Sequence, residues 1–245
     1  MDPRRLFEFE GYGGERPRVF FIGLEENSGD DEENLRRRAL FRRRMDLRRA
    51  HDLLLGTEWW ERGSARVPVW QVAAQIRAAL ALGKTEGSQF EAQWRRIRSD
   101  MLGRDHPDAD TLLTELLPVP TSRNRTWPDG YRELLGYDSY DAYRAEHLPR
   151  RKQILQKMIR LHRPEYICCY GSGDWPEFKE LFPSVPIAGW REYQTAPDNG
   201  GRPQAFQVAH DGDITVVLTL HYGGRGRRFS RQHLPFVLKA VRNAA

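Results

Sequence analysis

Four short, nearly continuous apolar segments constrain this chain more than anything else in it. They are "RVFFIGL" (18–24), "TLLTELLP" (111–118), "EYICCYG" (165–171) and "ITVVLTLH" (214–221). A strand with one wet face alternates apolar and polar residues, whereas a strand covered on both faces does not. These four therefore read as strands of a parallel sheet with helices on both sides.

Helical patterns lie between them. Residues 31–55 carry acids first and arginines later, which complements a helix dipole. "VPVWQVAAQIRAALAL" (67–82) has apolar spacings of 3 and 4, and "SQFEAQWRRIRSDML" (88–102) opens on a serine cap. Residues 139–162 read as two helices broken at Pro149. "DWPEFKELF" (174–182) has Pro near its first turn, and residues 231–244 close the chain as a helix. Alternating strands and helices imply an α/β sandwich with crossover connections. The stretch 31–110 reads as an all-helical insertion after the first strand, within one domain spanning 1–245.

Composition excludes several classes. No apolar run reaches the roughly 18 residues of a membrane span, and "MDPRRLFEFEGYGG" lacks an apolar signal core. The expectation is a cytoplasmic protein, a monomer without a membrane partner. The only cysteines are the adjacent Cys168 and Cys169, so a disulfide framework or cysteine-held cluster is not expected. No zinc spacing, Walker loop or Gly-x-Ser-x-Gly elbow occurs, so no metal or nucleotide cofactor is expected. Net charge is +5, and of 39 basic residues only five are lysine. Arginine suits bidentate phosphate recognition, although a GC-rich genome also produces it.

In open α/β sheets, ligands bind beyond the carboxyl ends of the strands. The first strand leads into Gly23-Leu24-Glu25-Glu26-Asn27-Ser28-Gly29, and the second into Glu115 and "PVPTSRNRTWP". The third leads into "YGSGDW", with Gly171 and Ser172, and the fourth into "HYGGRGRRFS". Carboxylates and one histidine, His221, thus converge with arginines at 123, 125, 225 and 227. An acidic centre suits activation of a water, and a basic rim suits a phosphate backbone. Asp30 to Glu33 read as acids of a helix start.

This order of elements resembles the uracil-DNA glycosylase superfamily. "IGLEENSG" (22–29) is similar by position to its first strand-end motif, and "TLHYGGRGRRFS" (219–230) to its last, which opens on His. "LLTELLPVP" (113–120) stands where that family has a base-reading Asn, and "CCYGSGDW" where it has a phosphate-holding turn. No Pro follows the acid here and no Pro-Ser follows the histidine. The resemblance implies a three-layer αβα sandwich with a central four-stranded, mainly parallel sheet. It implies a monofunctional DNA N-glycosylase that flips its base out of the duplex. It places Glu25, with Glu26 close behind, as the water-activating acid, and His221 as donor to the pyrimidine O2. Gly171 and Ser172 would hold a phosphate, as would Arg123, Arg125, Gly223, Gly224, Arg225 and Arg227. Arg225, Arg227 or Phe229 would fill the vacated stack.

Glu115 departs from that pattern. An ionised Glu offers acceptors only, which suits the exocyclic amino group of cytosine and repels uracil O4. Asn27, in a small polar loop, leaves room for a substituent on C5. The expected substrate is DNA with a C5-modified cytosine, such as hydroxymethyl- or glucosyl-hydroxymethylcytosine of phage DNA, in a defence role. Trp59, Trp60, Trp127 and Tyr222 are candidates to stack on the base. Three alternatives stay open: conventional uracil excision, a non-catalytic modified-DNA-binding module, and a hydrolase of small nucleotides. For Glu115 the plain alternative is a strand-end charge paired with Arg123 or Arg125.

Overall fold

The computed structural model describes residues 4–25, 32–63, 67–121, 126–196, 203–222 and 229–244. Its strands are β1 (Gly11–Gly13), β2 (Val19–Gly23), β3 (Arg44–Met45), β4 (Thr111–Glu115), β5 (Tyr166–Tyr170), β6 (Arg191–Gln194), β7 (Ala205–Asp211) and β8 (Ile214–Thr219). Its helices are α1 (Arg4–Phe7), α2 (Glu32–Arg38), α3 (Leu47–Leu55), α4 (Thr57–Gly63), α5 (Pro68–Leu82), α6 (Ser88–Arg96), α7 (Asp129–Leu135), α8 (Tyr140–His162), α9 (Trp175–Lys179) and α10 (Leu234–Ala244). Among the described residues no helix is long and apolar enough to cross a membrane.

The strands form one eight-stranded mixed sheet in the order β3-β1-β4-β2-β5-β8-β7-β6. This corrects the expected four-stranded sheet. The four apolar segments are its contiguous parallel centre, β4-β2-β5-β8. Around them, β1 runs antiparallel to β4, and β7 runs antiparallel to both β8 and β6. The β6–β7 hairpin escapes a search for continuous apolar runs because it is half exposed. In "AFQVAHD" burial largely alternates, as expected of an antiparallel ribbon near a sheet edge.

The continuous apolar runs are explained by burial on both faces. Val19, Phe21, Leu113, Cys168 and Val217 turn to one side and pack among Ala50, Ile76, Phe90 and Val237 of α3, α5, α6 and α10. Phe20, Ile22, Leu112, Ile167, Cys169 and Val216 turn to the other and pack among Leu35, Tyr131, Leu155 and Phe178 of α2, α7, α8 and α9. Phe20, Phe21 and Ile22 are completely buried. Each such side chain contributes about 1.5–3 kcal/mol of transfer free energy.

Two further expectations need correction. The 31–110 stretch is not all helical, because β3 lies within it and pairs with β1. Residues 139–162 form one helix from Tyr140 to His162, with Pro149 inside it. Pro149 and Ala145, whose carbonyl loses its usual partner, are both exposed, so water can take that carbonyl. The buried face of α8, from Tyr140 through Tyr143, His147, Arg151 and Leu155 to Ile159, runs unbroken past the proline.

Candidate functional site

The parallel register aligns the strand ends. Gly23 on β2 lies opposite Glu115 on β4, and Ile22 lies opposite Cys169 on β5. Pairing of β2 with β4 runs on past the strands, through Leu116 N–H to Gly23 O (2.9 Å) and Leu117 N–H to Leu24 O (2.7 Å). The chain leaves β2 for β4 on one side, and β5 enters on the other. A crevice opens at such a reversal, beyond the carboxyl ends.

Gly23 sits in that crevice. A Cβ there would lie 2.0 Å from Glu115 Oε2 and 2.8 Å from Tyr170 Cζ. Only a bare backbone lets the two side chains meet above it, and they do. The Tyr170 hydroxyl donates to Glu115 Oε1 at 3.1 Å. Glu115 Oε2 is buried, while the residue as a whole is half-buried. On its other side Tyr170 stacks on Tyr222 (centroids 4.5 Å apart, 22° between planes) and meets His221 edge-on (5.9 Å, 74°). Glu115, Tyr170, His221 and Tyr222 thus form one contact chain across three strand ends.

Glu25 stands two residues beyond Gly23, half-buried, and its Oε2 accepts from the Tyr140 hydroxyl at 3.0 Å. Tyr140 opens α8, after the Ser139 cap. One turn on, Tyr143 is fully buried and keeps its proton at ordinary pH, because burial pushes its pKa well up. Both Glu25 and Arg151 act on it electrostatically. Arg151 in turn donates from Nε to Glu115 O (2.9 Å) and from Nη2 to Thr114 Oγ1 (2.7 Å). One column of α8 side chains thus meets both strand ends, at the Glu25 carboxylate and at the Glu115 main-chain carbonyl.

The Gly-Ser-Gly turn is held from within. Gly171, at φ 137°, gives its N–H to Thr219 O at 3.1 Å, and Trp175 Nε1–H shares that acceptor at 3.1 Å. An added Cβ at Gly171 would lie 3.3 Å from Asp174 Oδ2. An anion at the Ser172–Asp174 turn would have that carboxylate as a neighbour, with the Gly171 amide already committed.

No protein-family model matches the chain, and no curated protein matches it by sequence.

Of the sequence candidates, the structure thus brings Glu115, His221 and Tyr222 into contact through Tyr170, and sets Glu25 on the adjoining strand end. Glu26, Asn27, Arg123, Arg125, Gly223, Gly224, Arg225 and Arg227 lie outside the described residues. Among the stacking candidates, Trp60 and Trp127 belong to the core. Trp59 stacks on His51 and packs against the same core. Tyr222 is fully buried behind Tyr170, so a base would meet Tyr170 or His221 before it. Phe229 cannot fill a vacated stack as it stands, because it is 1% exposed and packs on Tyr222 and His233.

Sequence reasoning missed Tyr170, Tyr140 and Arg151. Tyr170 is the last residue of an apolar run, just before glycine, where a hydroxyl can reach the strand-end edge. Arg151 falls at helical spacing between His147 and Leu155, a charge on the apolar stripe of α8. A cavity of about 410 Å³ of mixed charge, lined by Arg48, Arg96, Arg104 and His106 together with Asp100, Met101 and Asp108, shares no residue with this cluster.

Proposed function

We propose that this chain is a monofunctional DNA glycosylase acting in the cytoplasm on a C5-modified cytosine. The observation that carries the reading is the contact chain from Glu115 through Tyr170 to His221, with Glu25 on the neighbouring strand end. It gathers an acid for water, an acceptor for a base edge and an exposed imidazole at one crevice.

The flipped base enters with its amino edge toward Glu115. Oε1 accepts from Tyr170 and has capacity for a second donor, the N4 amino group of the base. Glu25, held by Tyr140, orients a water beneath the sugar. As the N-glycosidic bond breaks, its electron pair leaves with the base and C1′ takes on oxocarbenium character, as in glycoside hydrolysis. His221 donates to O2 of the departing base and spreads the negative charge. The water oxygen bonds to C1′ as its proton passes to Glu25; the released base anion takes up one proton from solvent, and Glu25 returns its proton to solvent. The products are an abasic site and the free base. The arginines at 123, 125, 225 and 227 supply the phosphate contacts in this reading.

The test uses matched oligonucleotides carrying uracil, cytosine, 5-hydroxymethylcytosine or its glucosylated form, incubated with protein and cleaved with alkali. Breaks confined to C5-modified cytosine support the reading and a role against phage DNA. Breaks at uracil keep the glycosylase and overturn its specificity. Tight binding without breaks moves the chain to a modified-DNA-binding module.

A further inference from the structure

The sheet has two edge strands, β3 and β6. β3 is two residues long, and its Arg44 is tied to Glu10 and to the Gly14 carbonyl. β6 is the open edge. Three of its four residues are exposed, Tyr193 is half-buried, and neither Pro nor Lys guards it. Which of its main-chain groups point outward follows from the register. Thr195 N–H donates to Gln204 O at 3.0 Å, in line with the pairing of Tyr193 with Phe206 and of Arg191 with Val208. Bonded and non-bonded positions alternate along an antiparallel pair. Arg191, Tyr193 and Thr195 therefore turn their N–H and C=O groups toward β7. Glu192 and Gln194 turn theirs away from the sheet. The two-residue turn between Asp211 and Ile214 gives the same phase from the other side of β7. Asp211, Ala209 and Gln207 face β8, which leaves Val208 and Phe206 to β6.

A second copy of the chain can pair with this edge about a twofold axis only where outward residues meet one another. Glu192 opposite the partner's Glu192 sets like charges face to face, which destabilises a strand pair. Gln194 opposite the partner's Gln194 carries Glu192 past the end of the partner strand. Each of these registers gives one complete bonded pair within β6. Glu192 opposite the partner's Gln194 gives two, by the symmetry of the axis, and each pair exchanges two hydrogen bonds. No like charges then lie directly opposite. Tyr193 faces the partner's Tyr193 at the closer, non-bonded position. Its ring already stacks on Phe206 (centroids 5.4 Å apart, 18° between planes), so the ladder of rings runs on across the axis. The remaining repulsion is between Glu192 and its copy, diagonal neighbours about 7–8 Å apart. One short strand thus supplies both halves of a matched set, which an unrelated strand would do only by chance.

We propose that β6 is a self-association edge, at which a second copy of this chain pairs antiparallel about Tyr193 and joins two eight-stranded sheets into one. This departs from the monomer expected from the sequence, and it does not depend on the activity of the strand-end site. A strand this short buries less than the roughly 1,200–2,000 Å² of stable interfaces, so the association is weak and set by concentration.

The experiment follows the full chain by sedimentation velocity and by amide NMR from about 10 μM to 1 mM, a range that spans weak affinities. The mass should rise toward twice that of one chain. Over the same range the amide shifts of Glu192 and Gln194, whose N–H groups point outward, should move. That of Arg191, bonded to β7, should move far less. Gln194→Pro removes one outward donor from each copy and no bond from the single chain, and an edge strand accepts proline at such a position. It should melt at the same temperature and associate roughly tenfold more weakly. Glu192→Gln removes the diagonal repulsion and should associate about twofold more tightly. A chain that stays monomeric up to about 1 mM overturns the proposal and leaves the edge to another partner or to none. So does a dimer whose Glu192 and Gln194 amides do not shift with concentration, a result that needs no variant to fold. A dimer that forms as tightly in Gln194→Pro places the contact elsewhere and overturns it too.

Discussion

The Tyr170 hydroxyl reaches Glu115 over the top of Gly23, joining the ends of two strands that are not neighbours in the sheet. β5 and β4 are separated by β2, and the bridge exists because residue 23 has no side chain.

Gly23→Ala tests that bridge directly. Its methyl would fall 2.0 Å from Glu115 Oε2, inside any real contact, so the carboxylate must swing away. Displacing well-packed groups in this manner costs about 1–3 kcal/mol. For a chain of this length that is roughly 2–4 °C in melting temperature per kcal/mol. Thermal melting reads the stability. Loss of base release greater than the stability loss accounts for shows that the bridge serves the site.

Tyr170→Phe removes the hydroxyl and keeps the ring on Tyr222. A hydrogen bond to a charged acceptor contributes about 1.5–3 kcal/mol. The variant should fold with a modest loss in denaturant midpoint. Its discrimination between modified cytosine and uracil should fall by roughly tenfold, which 1.4 kcal/mol corresponds to. Unchanged discrimination would separate Glu115 from base reading.

Glu25→Gln should lower turnover by roughly 10²–10⁴, the range for a positioned acid or base. DNA affinity should stay within about twofold of the original, since the carboxylate makes no phosphate contact in this scheme. Single-turnover kinetics and a binding titration on the same oligonucleotide separate the two quantities. Turnover unaffected by the change would remove Glu25 from the chemistry and turn attention to Glu26.

The sequence made the centre of the fold legible because burial on both faces leaves continuous apolar runs, as in Val19 to Ile22. It did not reveal β1 or β3, which at 3 and 2 residues are too short to carry a period. The single helix through Pro149 was hidden by a rule about lost hydrogen bonds that relaxes where water replaces them. Glu25, Glu115 and His221 could be found because polar residues ending apolar strands are conspicuous. Tyr170 could not, since a tyrosine there reads as one more apolar residue until its hydroxyl is placed. Arg151 was lost among the surrounding basic residues of "PRRKQIL", although its helical phase set it apart.

Acid should destabilise the fold in two steps. His147 and His162 both have lowered pKa values, chiefly through burial. His147 stacks on Phe7 at 3.7 Å and is hydrogen-bonded at Nε2 to the Tyr137 hydroxyl (2.6 Å); His162 lies 3.0 Å from Arg44 Nη2. A histidine held neutral binds fewer protons folded than unfolded. Its stabilisation is full above the unfolded pKa of about 6.5 and is lost as pH falls from there toward the folded value. Asp46 is the opposite kind of group. Burial raises its pKa, but hydrogen bonds from Arg104 and two main-chain amides outweigh that and leave it lowered. Its contribution persists until pH drops below about 4. Denaturant midpoints should therefore fall first as pH drops below about 6.5 and again below about 4. His147→Gln should shrink the first step, leaving the share of His162, and leave the second unchanged.

Salt should weaken DNA binding steeply if the four loop arginines contact phosphates. Each phosphate neutralised on duplex DNA contributes about 0.9 to the slope of log affinity against log salt. Arg123, Arg125, Arg225 and Arg227 together would give a slope of about −3.6 from that rule, and each alanine substitution should reduce it by about 1. The same substitutions should affect modified and unmodified DNA alike, because phosphate contacts position a duplex without reading it. Filter binding or fluorescence anisotropy between about 50 and 200 mM salt measures this. A slope near zero, with turnover on free nucleotides, would favour a small-molecule hydrolase that uses the same acid without the duplex. A steep slope that the four alanines leave intact would put the DNA on another face.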